Sequence, residues 1–146
     1  MARTNLDTDS PNVSTGIHGD GLLSLQFRRS QGGTTEEVKA PLVGADVIQL
    51  ERKGSTYIMS VAQYGEPFVA VEVSDINLGD DIYVGLFICS HEDDIVERAT
   101  FSDVRIVVPV KENWVYAETC GLILTFLGSG GRNAATIFSL RYSSSR

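Results

Sequence analysis

Apolar and polar side chains alternate along this chain with a period of two, the spacing of a β-strand and not of a helix. Residues 22–28 show it most cleanly, with Leu23, Leu25 and Phe27 set against Ser24, Gln26 and Arg28. The run before it, 13–18, is polar and β-branched, and the two meet through Gly19-Asp20-Gly21. Glycine accepts the positive φ that a tight turn demands, so the pair predicts a β-hairpin. Gln31-Gly32-Gly33 marks the next turn. A polar stretch from there to Lys39, ahead of Pro41, reads as an edge strand.

The pattern resumes at 47–52 and stops at Lys53-Gly54. In 56–64, Thr56, Ile58, Ser60, Ala62 and Tyr64 share one face, and Tyr57, Met59, Val61 and Gln63 the other. Gly65-Glu66-Pro67 then turns the chain into 68–73, where Phe68, Ala70 and Glu72 oppose Val69, Val71 and Val73. Residues 82–89 are apolar on both faces, which predicts a central strand covered on each side, with Gly85 marking a bulge or close backbone approach. In 99–108, Ala99, Phe101, Asp103 and Arg105 alternate against Thr100, Ser102, Val104 and Ile106, and Pro109 closes the run. About eight short strands with regular turn signals predict an all-β, antiparallel sandwich or barrel.

Composition changes this picture at one place, the C-terminal end. Residues 1–115 hold 18 acidic and 9 basic residues, whereas 116–146 hold one acid, Glu118, and three arginines, Arg132, Arg141 and Arg146. That stretch also carries Gly128-Ser129-Gly130-Gly131 and one apolar run, 122–127. The shift divides the chain into a sandwich module, 1–110, and a linker with an atypical tail, 111–146. Trp114 then reads as an anchor for the linker. With 146 residues, the chain is long enough to bury a hydrophobic core.

The formal net charge is −7, and the basic pairs Arg28-Arg29 and Arg52-Lys53 stand isolated among acids. Nucleic acid and anionic membrane surfaces are bound through clustered cations, so neither is an expected partner. No run approaches the roughly 20 apolar residues of a membrane span. The opening Met1-Ala2-Arg3-Thr4 lacks the apolar core of a signal peptide. Cys89 and Cys120 form no zinc-binding pair, and Cys89, inside an apolar run, reads as a buried small hydrophobe.

The ordered motifs resemble a known family. Leu50-Glu51-Arg52-Lys53-Gly54-Ser55-Thr56-Tyr57, Leu78-Gly79-Asp80-Asp81-Ile82-Tyr83-Val84-Gly85-Leu86, Ser90-His91 and Ala99-Thr100-Phe101-Ser102-Asp103-Val104-Arg105-Ile106 follow one another in the chain. Together they resemble the concanavalin-like sandwich module of the DUF1349 type. The part around Arg3, Leu6-Asp7 and His18-Gly19-Asp20-Gly21-Leu22 looks like the version that precedes a β-propeller in TolB-like exported proteins. The resemblance spans roughly residues 1–110 and implies an incomplete jelly roll, a non-catalytic accessory role, and a place outside the cytoplasm. It also implies strands before Ala2 and a propeller after Val110, so the atypical tail reads as a truncated or frame-shifted version of a longer protein. A jelly roll without its first strand is expected to expose an edge near 99–108, and so to self-associate or to be only marginally stable.

Candidate chemistry is sparse. Concanavalin-like folds include glucanases, which place carboxylates at alternating positions of one strand. Glu72 and Asp75 lie near a strand end without a third partner, and His91-Glu92-Asp93-Asp94 reads as a solvated turn. His18 with Asp20, or His91 with Asp93 and Asp94, supply too few ligands for calcium or zinc, so no metal or cofactor is expected. No Gly-x-Ser-x-Gly elbow or phosphate-binding glycine loop occurs. Aromatic rings able to stack on sugars are Tyr57, Tyr64, Phe68, Tyr83 and Phe87, and all but Tyr64 and Phe68, which flank a turn, are explained by packing. The expected function is therefore carbohydrate or protein binding, with Tyr64, Phe68 and His91 as candidate ligand contacts. The alternatives are a structural fragment without activity of its own and a glucanase-class hydrolase.

Overall fold

The computed structural model describes residues 1–90, 98–110, 113–118 and 135–143, with strand pairing alone from residue 108 onward. The first strands are β1 (Ala2–Arg3), β2 (Asn12–Ile17), β3 (Leu22–Arg28), β4 (Glu36–Val43), β5 (Val47–Lys53) and β6 (Thr56–Ala62). They are followed by β7 (Val69–Val73), β8 (Tyr83–Val84), β9 (Thr100–Val110), β10 (Asn113–Glu118) and β11 (Ala135–Ser143). No helix occurs among the described residues. The strands form two antiparallel sheets, one ordered β4-β3-β2-β1-β8 and the other β10-β9-β11-β5-β6-β7.

The expected alternation sets the inner faces. Ala2, Val13, Leu23, Leu25 and Phe27 of the first sheet and Ile48, Leu50, Tyr57, Met59 and Val61 of the second share one core. Ile76 and Leu78, on the segment after β7, are buried in the same core. Each buried Val, Leu, Ile, Phe or Met side chain among them contributes about 1.5–3 kcal/mol on leaving water, so this shared interior holds the two layers together as a sandwich-like unit. Hairpin turns set the register. Between β2 and β3, His18 N–H donates to Leu22 O (2.8 Å) and Gly21 N–H to His18 O (2.9 Å), with Gly21 at φ 84°. Gly54 does the same between β5 and β6 at φ 63°.

Arginines hold the loops that the strands leave open. Arg28 Nη1 donates to Thr8 O (3.0 Å), and Arg29 Nη1 to Ser74 O (2.7 Å) and Asp75 O (3.0 Å). Arg52 Nη2 donates to Gly79 O (2.6 Å), and Arg3 donates to Asp7 O. Cations with carbonyl partners of this kind are structural fasteners, in keeping with the isolated basic pairs of the sequence.

Several expectations are corrected. The edge strand β4 continues through Pro41 to Val43, with a register shift opposite Leu22 and Ser24. Proline lacks an N–H, and an outermost strand can accommodate that loss. Strand β9 likewise passes through Pro109, which pairs with Trp114 of β10. The alternation in β9 also breaks. Its register with β11 shifts between Arg105 and Ser102, and Asp103 there has φ 52°. A bulge of this kind reverses which positions face inward. Phe101, Val104 and Ile106 are accordingly half-buried, while Ser102, Asp103 and Arg105 are exposed.

The largest correction concerns 82–89. Only Tyr83 to Gly85 pair, Tyr83 and Val84 with the two-residue β1 and Gly85 with Met1, at the outside of the sheet. Leu86, Phe87 and Ile88 are exposed, and Cys89 is an exposed free thiol instead of a buried one. An apolar run becomes a central strand only where partners flank it along its length, and β1 offers two residues. The edge expected near 99–108 is not open either, since β9 pairs with β10 on one side and β11 on the other. Strand β10 straddles the change in composition at residue 116, and β11, from the compositionally distinct stretch, lies between β9 and β5.

Candidate functional site

Three connections meet at one end of the molecule: the β2–β3 turn, the link from β4 to β5, and the β6–β7 turn. Gly44 N–H donates to Gly21 O (2.8 Å), and Asp46 N–H to Ala62 O (3.0 Å). The Asp46 carboxylate accepts from Tyr64 N–H (2.9 Å), and the Gln63 side-chain amide reaches Gly44 O (3.5 Å). A carboxylate accepting a backbone N–H makes one of the stronger hydrogen bonds available to a loop. The β6–β7 turn is thereby fastened to the β4–β5 link and not left to itself.

Apolar side chains stand on this fastened end. Tyr64 is 71% exposed and Phe68 49%, four positions apart across the turn around Gly65 and Pro67, and Val43 is exposed on the adjoining link. Exposed apolar side chains held by a rigid backbone are the usual chemistry of a recognition surface. The other rings are disposed differently. Tyr57 lies in the core with Arg52 over its ring at 5.8 Å, Tyr83 is half-buried at β8, and Phe87 is exposed beside it.

Beside the β2–β3 turn, a polar cluster occupies the outward face of the first sheet. His18 Nε2 lies 2.9 Å from Ser24 Oγ and 3.7 Å from Glu37 Oε1. The Gln26 amide donates to Glu37 Oε1 (3.1 Å), and Lys39 Nζ stands 3.9 Å from Glu37 Oε2. Register explains the grouping, because Ser24 pairs with Lys39 and Gln26 with Glu37, so these side chains share a face opposite Leu25 and Val38. The Gln26 amide and the Ser24 hydroxyl, followed by the charges of Lys39 and His18, hold the Glu37 carboxyl below its ordinary range. All groups are satisfied when His18 Nε2–H donates to Ser24 Oγ and the Ser24 hydroxyl donates to Glu37.

Serine, histidine and a carboxylate together invite comparison with a catalytic triad, and the geometry differs at each step. Ser24 is wholly buried, so its oxygen meets no substrate. Its proton is directed to Glu37, and Glu37 stands at the same ring nitrogen as Ser24 instead of orienting the opposite one. The cluster binds its own members and stiffens the hairpin.

The remaining sequence candidates are dispersed. His18 does not join Asp20, whose carboxylate accepts from Leu22 N–H (3.0 Å) within the turn. Among the described residues no group of three or more His, Cys, Asp or Glu side chains is arranged to hold a metal ion. Glu72 is exposed on β7, and Asp75 follows it at φ 62°, its carbonyl held by Arg29. His91, with Glu92, Asp93 and Asp94, lies outside the described residues, as does the run 122–127. Sequence reasoning missed Val43, Asp46 and the Ser24–Glu37 pairing. The alternation in β3 marks Ser24 and Gln26 as outward, but the register shift opposite Pro41 hides which β4 residues face them. No protein-family model, curated protein or solved structure matches this chain.

Proposed function

We propose that this chain is a non-catalytic accessory module, an incomplete concanavalin-like jelly roll of the kind that precedes a TolB-like propeller, and that it binds carbohydrate through Tyr64 and Phe68. One observation carries the reading: two exposed aromatic rings stand on a turn whose backbone Asp46 and Gln63 fasten to the β4–β5 link. Sugars present a flat C–H face that packs on an aromatic ring and hydroxyls that need hydrogen-bonding groups nearby. Fixing the turn in advance lowers the entropy lost on binding. The buried Ser24 hydroxyl and the self-contained Glu37 network support a role without catalysis.

A glycan-array screen of the folded protein, followed by NMR titration, tests the proposal. The expected result is binding of an oligosaccharide with shifts centred on Tyr64, Phe68 and Val43, lost in Tyr64→Ala and Phe68→Ala while the fold is kept. Binding that maps elsewhere, or a folded protein indifferent to every glycan, would overturn it. In the latter case a protein ligand at the same rings becomes the reading to pursue.

A further inference from the structure

Charges are sorted along the strands. Strands β3 and β5 both start at the end of the molecule that carries Tyr64 and Phe68, and their cations, Arg28 and the pair Arg52-Lys53, close them at the other end. At about 3.3 Å per residue those charges stand roughly 20 Å away, well over one Debye length of about 8 Å. Lys39, midway along β4, is 3.9 Å from Glu37. Arg141 of β11 is level with Val47, and Arg98 precedes β9 beyond it, so both lie across β5 from the rings.

The three connections at the ring end hold acids alone. Asp20 lies in the β2–β3 turn, Asp46 on the β4–β5 link and Glu66 between Tyr64 and Phe68, and segments 17–22, 42–47 and 62–68 contain no Lys or Arg. Strands β6 and β7 bring none either, since from Gly54 to Ser90 every charged residue is an acid. The Asp46 carboxylate is already at the site, 2.9 Å from Tyr64 N. Glu66 closes the turn through its N–H to Gln63 O (3.0 Å), is exposed, and enters none of the ion pairs among the described residues. The face of an aromatic ring is the negative side of its quadrupole and attracts a cation. Carboxylates beside the ring add to that attraction and repel an anion.

We propose, resting on the carbohydrate reading above, that the sugar this end takes is a cationic one, a hexosamine whose free amino group is protonated. Its C–H face packs on the exposed rings, and its ammonium group meets the Glu66 carboxylate and the second oxygen of Asp46. Glu66 is the specificity-determining residue, because it stands between the two rings and Asp46 is already engaged with the backbone. Uronic and sulfated sugars carry charge of the wrong sign. Acetylation of the amine removes the charge and with it the advantage.

NMR titration of the full chain in mildly acidic buffer, with the glucosamine tetramer and its fully N-acetylated counterpart, tests this. The glucosamine tetramer is expected to bind about tenfold more tightly, the sum of one cation–π contact and exposed ion pairs. Shifts should centre on Tyr64, Glu66 and Phe68, the preference should shrink as salt is added, and a galacturonic acid tetramer should not bind. Glu66→Gln is expected to remove most of the preference. Asp81→Asn, the same change of charge near Gly79, which Arg52 holds at the far end of β5, is expected to keep it. Equal affinity for the two tetramers, a preference that survives Glu66→Gln, or a neutral glycan bound at the rings in place of glucosamine would each overturn the charge selection and leave the carbohydrate reading standing. Indifference to every sugar removes both.

Discussion

Residues 1–78 and residues 79–107 present the same sequence signals to very different ends. In the first region every second side chain of β3, β5 and β6 goes where its pattern directs, and Leu23, Leu25, Tyr57, Met59 and Val61 are all buried. In the second the apolar run 82–89 leaves Leu86, Phe87 and Ile88 in water, and among the described residues of that region only Val107 joins the buried set. Hydrophobicity alone does not separate the two. Strand β6 has β5 along its whole length and β7 beyond, with registers running from Val47↔Ala62 to Lys53↔Thr56 and from Tyr57↔Val73 to Val61↔Val69. Strand β8 has Ala2 and Arg3. A run of apolar residues is buried by its neighbours, and how many neighbours it finds is a property of the topology.

The sharpest way to break this comparison is to truncate one leucine in each region. Leu25→Ala removes a fully buried side chain between the sheets and is expected to destabilise the fold by about 3 kcal/mol, through lost transfer energy and the cavity left behind. Leu86→Ala should change stability by no more than about 0.5 kcal/mol, as for an exposed site. Urea unfolding measures both. Comparable losses would mean that 82–89 is packed as the sequence pattern demands.

Glycines provide the next comparison. Gly21 has φ 84°, and a Cβ there would sit 3.1 Å from Val43 Cγ1 and 3.4 Å from Gly44 N. Gly21→Ala is therefore expected to cost about 2 kcal/mol, from the left-handed backbone and from crowding the β4–β5 link. A Cβ on Gly85 meets nothing within 4 Å, so Gly85→Ala should be close to neutral, within about 0.5 kcal/mol. Thermal unfolding of the pair decides whether the loop end is as tightly built as its hydrogen bonds indicate. Equal effects would remove the distinction.

Much of the fold was legible where local signals and long-range partners agree. The bounds of β3, the hairpin at Gly21, the breaks at Gly54 and Gly65 and the inward faces of β6 and β7 follow from alternation and turn chemistry, because each is decided within a few residues. The bulge at Asp103, the passage of β4 and β9 through prolines and the outward fate of Leu86 to Ile88 depend on which strand lies alongside, which no local pattern encodes. The rings of the candidate site were legible for the same local reason, since Tyr64 and Phe68 flank a turn. Asp46, which fastens that turn, was not, because it lies 18 residues from Tyr64 and acts through a backbone N–H.

A third comparison lies within the well-packed region, and its expected effect has the opposite sign. The Tyr57 ring is buried in the shared core, yet among the described residues its hydroxyl has no hydrogen-bond partner. A buried polar group left unsatisfied costs about 1–3 kcal/mol, so Tyr57→Phe should stabilise the fold by about 1 kcal/mol while keeping the ring under Arg52. The pH dependence separates this cause from better packing. Burial pushes the phenol up to about 12 from its ordinary 10, outweighing the pull of Arg52 in the other direction. The folded state therefore favours the protonated phenol. Its contribution to stability is complete below pH 10 and is lost as pH rises from there through about 12, where the unfolded chain ionises more readily. Urea midpoints measured across that interval should fall more steeply for the parent than for Tyr57→Phe, so the advantage of the variant widens with pH. If the two curves run parallel, the hydroxyl has a partner or reaches water, and the core around Tyr57 is more open than its burial implies.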